Sequence, residues 1–283
     1  MGALRIASGE FQTQLVVAWS PSEVAFTSEA QRLGMDPYFH RALPLDEPSA
    51  HALQAAAIEA AQPGARSAAQ SVVWPACLAR SAAAASRWAA TVAGDARHDN
   101  GTGNRQRCDG DGFAQFCPAA RTEGYCLVRS MGWATEPSFL SDRNLATAPA
   151  LSAAAQRAYA DASVADPMTA FDLAEITDAT PYSELLAYDA LSLCQRQDWN
   201  ARLTAAGDFS RGGRLPVNLS GGVLTWNPLF CTGMIRITEL AAQIRGRAGA
   251  HQMADVNCGL AQAGSGFAMQ YQAAIVLGKE ARP

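Results

Sequence analysis

Hydrophobic periodicity is clearest in the C-terminal part of the chain. Apolar side chains recur there at helical spacing in three segments, and short apolar runs lie between those segments. The pattern predicts helices over Leu151–Ser163, Tyr182–Cys194 and Gly233–Arg245, and strands over Tyr125–Trp133, Ala170–Ile176, Leu215–Asn218, Gln252–Leu260 and Ala268–Leu277. The third helix should bury Ile237, Leu240, Ala241 and Ile244, and should stop at Gly246. The predicted order is βαβαβαββ, which implies an α/β fold with a mostly parallel sheet.

The N-terminal part of the chain has a weaker pattern. One strand is predicted over Phe11–Trp19, and alanine-rich helices are predicted over His51–Ala61 and Ala76–Ala90. Asp95–Gly112 is polar and glycine-rich, which predicts a surface loop or an excursion towards a ligand. These shifts divide the chain into an N-terminal segment (1–49), a loop and helical region (50–123) and a C-terminal domain (124–283).

Composition and charge exclude several classes of protein. With 49% hydrophobic and 17% charged residues in 283, the chain is globular and long enough to bury a full core. Its net charge of -4 and the lack of a dense Lys/Arg run argue against a nucleic-acid partner. No apolar stretch approaches membrane-spanning length, and the N-terminus lacks a signal-peptide pattern, so we expect a cytoplasmic protein that does not associate with membranes. The odd number of seven cysteines indicates free thiols in a reducing compartment.

Several isolated residues invite a chemical role, but a structural role is the better interpretation. Cys231 precedes a predicted helix, where the dipole could lower its thiol pKa, yet free cysteines are more often small core residues. Cys108, Cys117 and Cys126 lack the close spacing of a zinc site, so no metal is predicted. The four histidines are scattered, and we interpret them as surface or structural residues.

Two motifs resemble a known family. LPVNLSGG (Leu215–Gly222), followed by Asn227–Pro228 and TGMIRITEL from Thr232, resembles the C-terminal signature of thiolases, nearest to the sterol-carrier-protein type. DLAEITD (Asp172–Asp178) resembles the segment through the NEAF or HDCF box of the same family. The resemblance implies a thiolase-like layered α/β fold, with a complete C-terminal βαβαβαββ half and only a remnant of the N-terminal half.

The resemblance also implies where catalytic groups should lie. Thiolases use a cysteine as acyl acceptor, a second cysteine as base, and a histidine with an asparagine-held water to stabilise oxyanions. Asn227 stands at the histidine position, Thr177 and Asp178 stand at the asparagine and glutamate of the box, and Gln262 stands at the second cysteine. The nucleophile would lie just upstream of Ile6, where this sequence has no residue. Four glycines, which could approach a pantetheine or thioester or could form tight turns, are Gly221, Gly222, Gly264 and Gly266.

These residues support three functional hypotheses. The first is a thiolase-type acyl-CoA C-acyltransferase that forms a 3-oxoacyl-CoA by Claisen condensation or cleaves it by thiolysis. Its nucleophile would come from a missing N-terminal stretch or from a partner chain. The second is a non-catalytic thiolase-like subunit that scaffolds an active partner, and the third is a decaying gene product. The first two imply acyl-CoA as ligand, no separate cofactor, and a homo- or hetero-oligomer.

Overall fold

The structure is a computed structural model that describes residues 2–11, 13–18, 33, 35–43, 45–71, 126–203, 207–225 and 231–279. The described helices are α1 (Gly2–Ala7), α2 (Glu47–Ala61), α3 (Pro149–Ala162), α4 (Pro167–Ala170), α5 (Pro181–Ala190), α6 (Trp199–Arg202), α7 (Gly222–Thr225) and α8 (Thr232–Ile244), and residues 65–71 are also helical. The described strands are β1 (Leu127–Thr135), β2 (Leu173–Glu175), β3 (Cys258–Ser265) and β4 (Tyr271–Gly278). Short 3-10 helices lie at Leu140–Asp142, Arg196–Asp198 and Gly249–His251. The predicted helix over Ala76–Ala90 and the predicted loop over Asp95–Gly112 lie outside the described residues.

The helices begin at local capping signals. The Asp46 carboxylate accepts a hydrogen bond from the Ser49 N–H at 2.8 Å and so caps α2. Thr180 and Ser183 form a reciprocal capping box at the start of α5. The C-terminal end of α8 also follows a local signal, because Gly246 adopts a φ of 70° just after the helix and stops it, as predicted.

The four strands form one mixed sheet in the order β1–β4–β3–β2. Strand β4 pairs antiparallel with both β1 and β3, whereas β2 and β3 are parallel. The prediction of a mostly parallel sheet is therefore wrong for the described strands. The connection between β3 and β4 is a short turn, and a short turn can join only antiparallel neighbours.

The third predicted strand is much shorter than expected. Of Leu215–Asn218, only Val217 pairs with a strand residue, through a single parallel bridge to Ala174. Asn218 then turns the chain away, with a φ of 55°. With this segment counted as a strand, the predicted order βαβαβαββ is confirmed.

The predicted strand over Phe11–Trp19 is wrong among the described residues. Residues 13–18 have no regular secondary structure, and Leu15, Val16 and Val17 are exposed. An apolar run forms a strand only when a neighbouring strand completes the hydrogen-bond ladder. No described strand lies beside this segment.

Helices cover both faces of the sheet. Apolar residues of α3 and α5 pack against Ala174, Leu260 and Val276 on one face. On the other face, α8 contributes Leu240, Ala241 and Ile244, with Ile237 partly buried, which confirms its predicted apolar face. The described domain is therefore a three-layer α/β/α arrangement. None of the described helices has both the length and the apolar character needed to cross a bilayer.

Candidate functional site

A cleft of about 860 Å³ lies where the N-terminal segment meets the sheet domain. One wall consists of residues around Met35 and the first turns of α2, and the other consists of the ends of β1, β3 and β4. The start of α8, at Thr232 and Gly233, also borders the cleft. Because the N-terminal end of a helix carries a partial positive charge, this border favours negative charge on a bound molecule.

Two predicted site residues, Thr177 and Gln262, meet on the wall of the cleft. The Thr177 N–H donates to Gln262 Oε1 at 2.7 Å, and Gln262 Nε2 donates to Gln272 Oε1 at 2.7 Å. Gln272 Nε2 in turn donates to the Met269 carbonyl at 2.9 Å. The Gln262 amide thus both accepts and donates within the protein, and a neutral amide cannot act as a proton base.

Gly264 and Gly266 also line the cleft. The Gly264 N–H donates to Thr177 Oγ1 at 3.2 Å, which ties the end of β3 to the second residue after β2. Gly266 has a φ of 75°, and a Cβ there would lie 2.8 Å from the Tyr271 ring. Gly266 therefore begins the tight turn after β3, whereas Gly264 lies near the end of β3, and both are part of the cleft wall.

Asp178, Gly221 and Gly222 form a second group, behind the cleft. Asp178 Oδ1 accepts a hydrogen bond from the Val223 N–H at 2.5 Å. A Cβ on Gly222 would lie 2.2 Å from Asp178 Oδ2, and Gly222 has a φ of 70°, so only glycine fits. Val223 lines the cleft, whereas the other three residues are not among its lining residues. The structure therefore separates the eight predicted site residues: four line the cleft, three lie behind it, and Asn227 lies outside the described residues.

A buried charged cluster adjoins this second group and was not predicted from the sequence. Glu175 Oε1 accepts from the Ser220 N–H at 3.0 Å, and Glu175 Oε2 lies 3.1 Å from Arg236 Nη1. Burial raises the pKa of Glu175, and the nearby Arg236 guanidinium opposes that shift. The only sign of this cluster in the sequence is Glu175, the acidic residue at the centre of DLAEITD. Its partner Arg236 lies in helix α8, far away in the sequence.

The family model described as thiolase C-terminal domain-like matches residues 132–279, more than half of the chain. This chain belongs to the thiolase C-terminal domain-like family. The resemblance to thiolases that the sequence motifs indicated is thus confirmed.

Individual relatives of this thiolase-like chain match it over short segments. Human sterol carrier protein 2 is 40% identical over 83 residues, which are 29% of this chain and 15% of that protein. The non-specific lipid-transfer protein-like 2 of Caenorhabditis elegans is 32% identical over 88 residues, which are 31% of this chain and 21% of that protein. The solved structure of an Ltp2-ChsH2(DUF35) aldolase superposes with a TM-score of 0.47 at 24% identity, covering 56% of this chain and 40% of that one. The chain thus spans less than a quarter of the length of the two curated relatives.

No described cysteine of this thiolase-like chain lines the cleft. Cys126, Cys194, Cys231 and Cys258 are all free thiols. Burial raises the pKa of each, to about 12 for Cys126 and to about 11 for Cys194. The raised pKa at Cys231 does not favour a relocated nucleophile. Cys231 is half-buried and belongs to neither apolar cluster, so its interpretation as a core residue stays a prediction. Cys108 and Cys117 lie outside the described residues, and within those residues no group of three or more ligands could hold a metal ion.

Two of the described histidines line the cleft. His251 does form a buried pair with Glu239 at 2.6 Å, as a structural histidine would. His40 and His51 instead face the cleft, together with Asp36 and Glu47. The sequence signal was the spacing of Glu47 and His51, four residues apart in a helix, which brings two titratable side chains to one surface.

Proposed function

We propose that this chain is a thiolase-type acyl-CoA-binding subunit, and that it takes part in making or breaking a carbon–carbon bond beside the thioester. The reaction class is the C-acyl transfer of thiolases, either Claisen condensation or thiolytic cleavage of a 3-oxoacyl-CoA. Family membership supports the class of chemistry. The free state of the described cysteines supports a reducing compartment such as the cytoplasm.

The observation that carries this proposal is the cleft itself. Thr177, Gln262 and Gly264, which stand at or beside family catalytic positions, converge on its wall. Met35, Trp133 and Phe267 add apolar surface to the same cleft, which suits an acyl chain. The α8 N-terminus favours the partial negative charge that a thioester oxygen acquires during reaction.

The nucleophilic cysteine would come from a partner chain. Thioester transfer needs a thiolate, and burial disfavours the thiolate form of the described cysteines. None of those cysteines lines the cleft. We therefore propose that the chain works in a homo- or hetero-oligomer whose second subunit presents a cysteine to the bound acyl-CoA.

A non-catalytic, scaffolding subunit is the second candidate, and one observation favours it. Gln262 occupies the position of the base cysteine and is engaged through both ends of its amide. On this hypothesis, Thr177→Val and Asn227→Ala leave the thiolysis of acetoacetyl-CoA by the assembled complex unchanged. On the first hypothesis, both substitutions lower its turnover.

Isothermal titration of the full chain with butyryl-CoA tests the binding proposal. We expect saturable binding at one site per chain. Ser265 is an exposed residue on the cleft wall, so Ser265→Trp should obstruct the cleft and weaken binding at least tenfold, which is about 1.4 kcal/mol.

The matched control is Ala160→Trp, an exposed position of α3 that does not line the cleft. This variant should bind butyryl-CoA as the wild type does. An absence of binding by the wild type, or equal affinities of the wild type and the Ser265→Trp variant, would contradict the proposal.

A further inference from the structure

Carbon–carbon bond chemistry beside a thioester requires a base that removes a proton from the α-carbon. Gln262 cannot supply that base, and no described thiol lines the cleft. The cleft wall does contain an imidazole, that of His51 on α2. His51 is only 7% exposed, so little of its surface is open except towards the cleft.

Hydrogen bonds determine which ring nitrogen of His51 carries the proton. Gln54 Nε2 donates to the Ala268 carbonyl at 3.4 Å, and a carbonyl can only accept. The amide oxygen of Gln54 therefore faces the ring, where Oε1 lies 3.4 Å from His51 Nδ1. Because that oxygen accepts, Nδ1 carries the proton and Nε2 of the neutral ring keeps its lone pair.

A carboxylate stands beside this lone pair. Glu47 Oε1 lies 3.8 Å from His51 Nε2, and both residues line the cleft. Glu47 and His51 are four residues apart on α2, so their side chains lie on one face of the helix. The Ala268 carbonyl and the Gln54 amide thus orient the ring so that Nε2 is its unprotonated nitrogen, which a general base requires.

We propose that His51 is the general base of this cleft and that Gln54 is its positioning residue. The assignment rests on the proposed acyl-CoA function. His51 Nε2 takes a proton from the carbon next to the thioester carbonyl, and the electron pair of the broken C–H bond moves to the carbonyl oxygen as an enolate. The imidazolium returns a proton to that carbon or loses it to water. The partial positive charge at the start of α8 stabilises the enolate oxygen.

Deuterium exchange into butyryl-CoA tests this step without a nucleophile or a second substrate. The full chain, with any subunit that copurifies with it, is incubated with butyryl-CoA in heavy water, and mass spectrometry follows deuterium at the α-carbon. Wild-type protein should exchange the α-protons faster than buffer. His51→Gln should lower that rate by about a hundredfold or more, while titration shows that butyryl-CoA still binds.

Variants of Gln54 separate positioning from folding. Gln54→Leu removes the acceptor for Nδ1 and should lower the exchange rate, whereas Gln54→Glu restores an acceptor and should exchange faster than the leucine variant. Gln156→Leu, at an exposed position of α3 outside the cleft, is the matched control and should exchange as the wild type does.

The outcomes distinguish the two proposals. Butyryl-CoA binding without α-proton exchange, or full exchange by a folded His51→Gln variant, would overturn the role of His51 and leave the binding function standing. An absence of butyryl-CoA binding by the wild type would overturn the proposed function, and the role of His51 with it.

Discussion

At the scale of single residues, the Gln262 side chain joins two backbone segments. Replacing Gln262 by leucine leaves the Thr177 N–H and Gln272 Oε1 without their partners in a buried site. Each unsatisfied buried group costs about 1–3 kcal/mol, so Gln262→Leu should lower the free energy of unfolding by roughly 2 kcal/mol or more. Urea denaturation measures this change.

The control for Gln262 is the exposed Gln156, which lies on α3. Gln156→Leu should change the free energy of unfolding by no more than about 0.5 kcal/mol. Equal stability of the two leucine variants would mean that the Gln262 hydrogen bonds contribute nothing to the fold.

The thiols should differ in reactivity because their burial differs. Burial raises the pKa of Cys126 to about 12, whereas Cys231 is only half-buried. Brief treatment of the native protein with iodoacetamide at mildly alkaline pH should therefore alkylate Cys231 first and leave Cys126 unmodified. Peptide mass spectrometry identifies the sites, and unfolded protein, in which both should react, is the control. Alkylation of Cys126 before Cys231 would show that the β1 end of the sheet is not packed as described.

At the scale of elements, helix α3 packs unusually close to strand β1. A Cβ on Gly132 would lie 2.0 Å from the Ala154 carbonyl oxygen, so the helix backbone would have to move. Gly132→Ala should therefore lower the free energy of unfolding by about 2–3 kcal/mol in urea denaturation. Gly212→Ala is the matched control, because nothing lies within 4 Å of its added Cβ. Equal stability of the two alanine variants would contradict the close approach of α3 and β1.

Glu59 connects α2 to α5 and should make stability depend on acid pH. Its carboxylate accepts hydrogen bonds from Arg66 and Tyr182, which lower its pKa from 4.5 to about 2. The folded state therefore binds this proton more weakly than the unfolded chain. The stability that Glu59 contributes is present above pH 4.5 and is lost as the pH falls towards 2.

Urea midpoints above pH 4.5 and near pH 2 measure this contribution. The difference between the two midpoints should be larger for the wild type than for Glu59→Gln, which cannot ionise. The same difference in both proteins would mean that the hydrogen bonds of Glu59 do not persist in solution.

The sequence predicts elements well where a local rule decides the outcome. The apolar face of α8 and its stop at Gly246 follow from helical spacing and from glycine at a positive φ. Strand pairing depends on which segment lies alongside, and that is a long-range property. The segment over residues 13–18 therefore had a strand-like pattern without a neighbouring strand, and the parallel sheet was expected although β4 reverses direction after a short turn.

At the scale of the whole molecule, the cleft joins parts of the chain that are far apart in sequence. Family motifs identified Thr177, Gln262 and the glycine turn, because those residues lie in contiguous segments that resemble thiolases. They could not identify His51, since its position on the cleft depends on how α2 docks against the turn after β3. Nor could they show that Asp178 is engaged with a helix start behind the cleft.

The central claim is that acyl-CoA binds in this cleft. Hydrogen–deuterium exchange mass spectrometry of the full chain, with and without butyryl-CoA, tests the claim most directly because it locates the ligand. The account predicts slower exchange in the cleft walls, around the first turns of α2, the start of α8 and the turn between β3 and β4. Unchanged exchange in these three regions at saturating butyryl-CoA, or slower exchange confined to the far end of α3 and its neighbours, would contradict it.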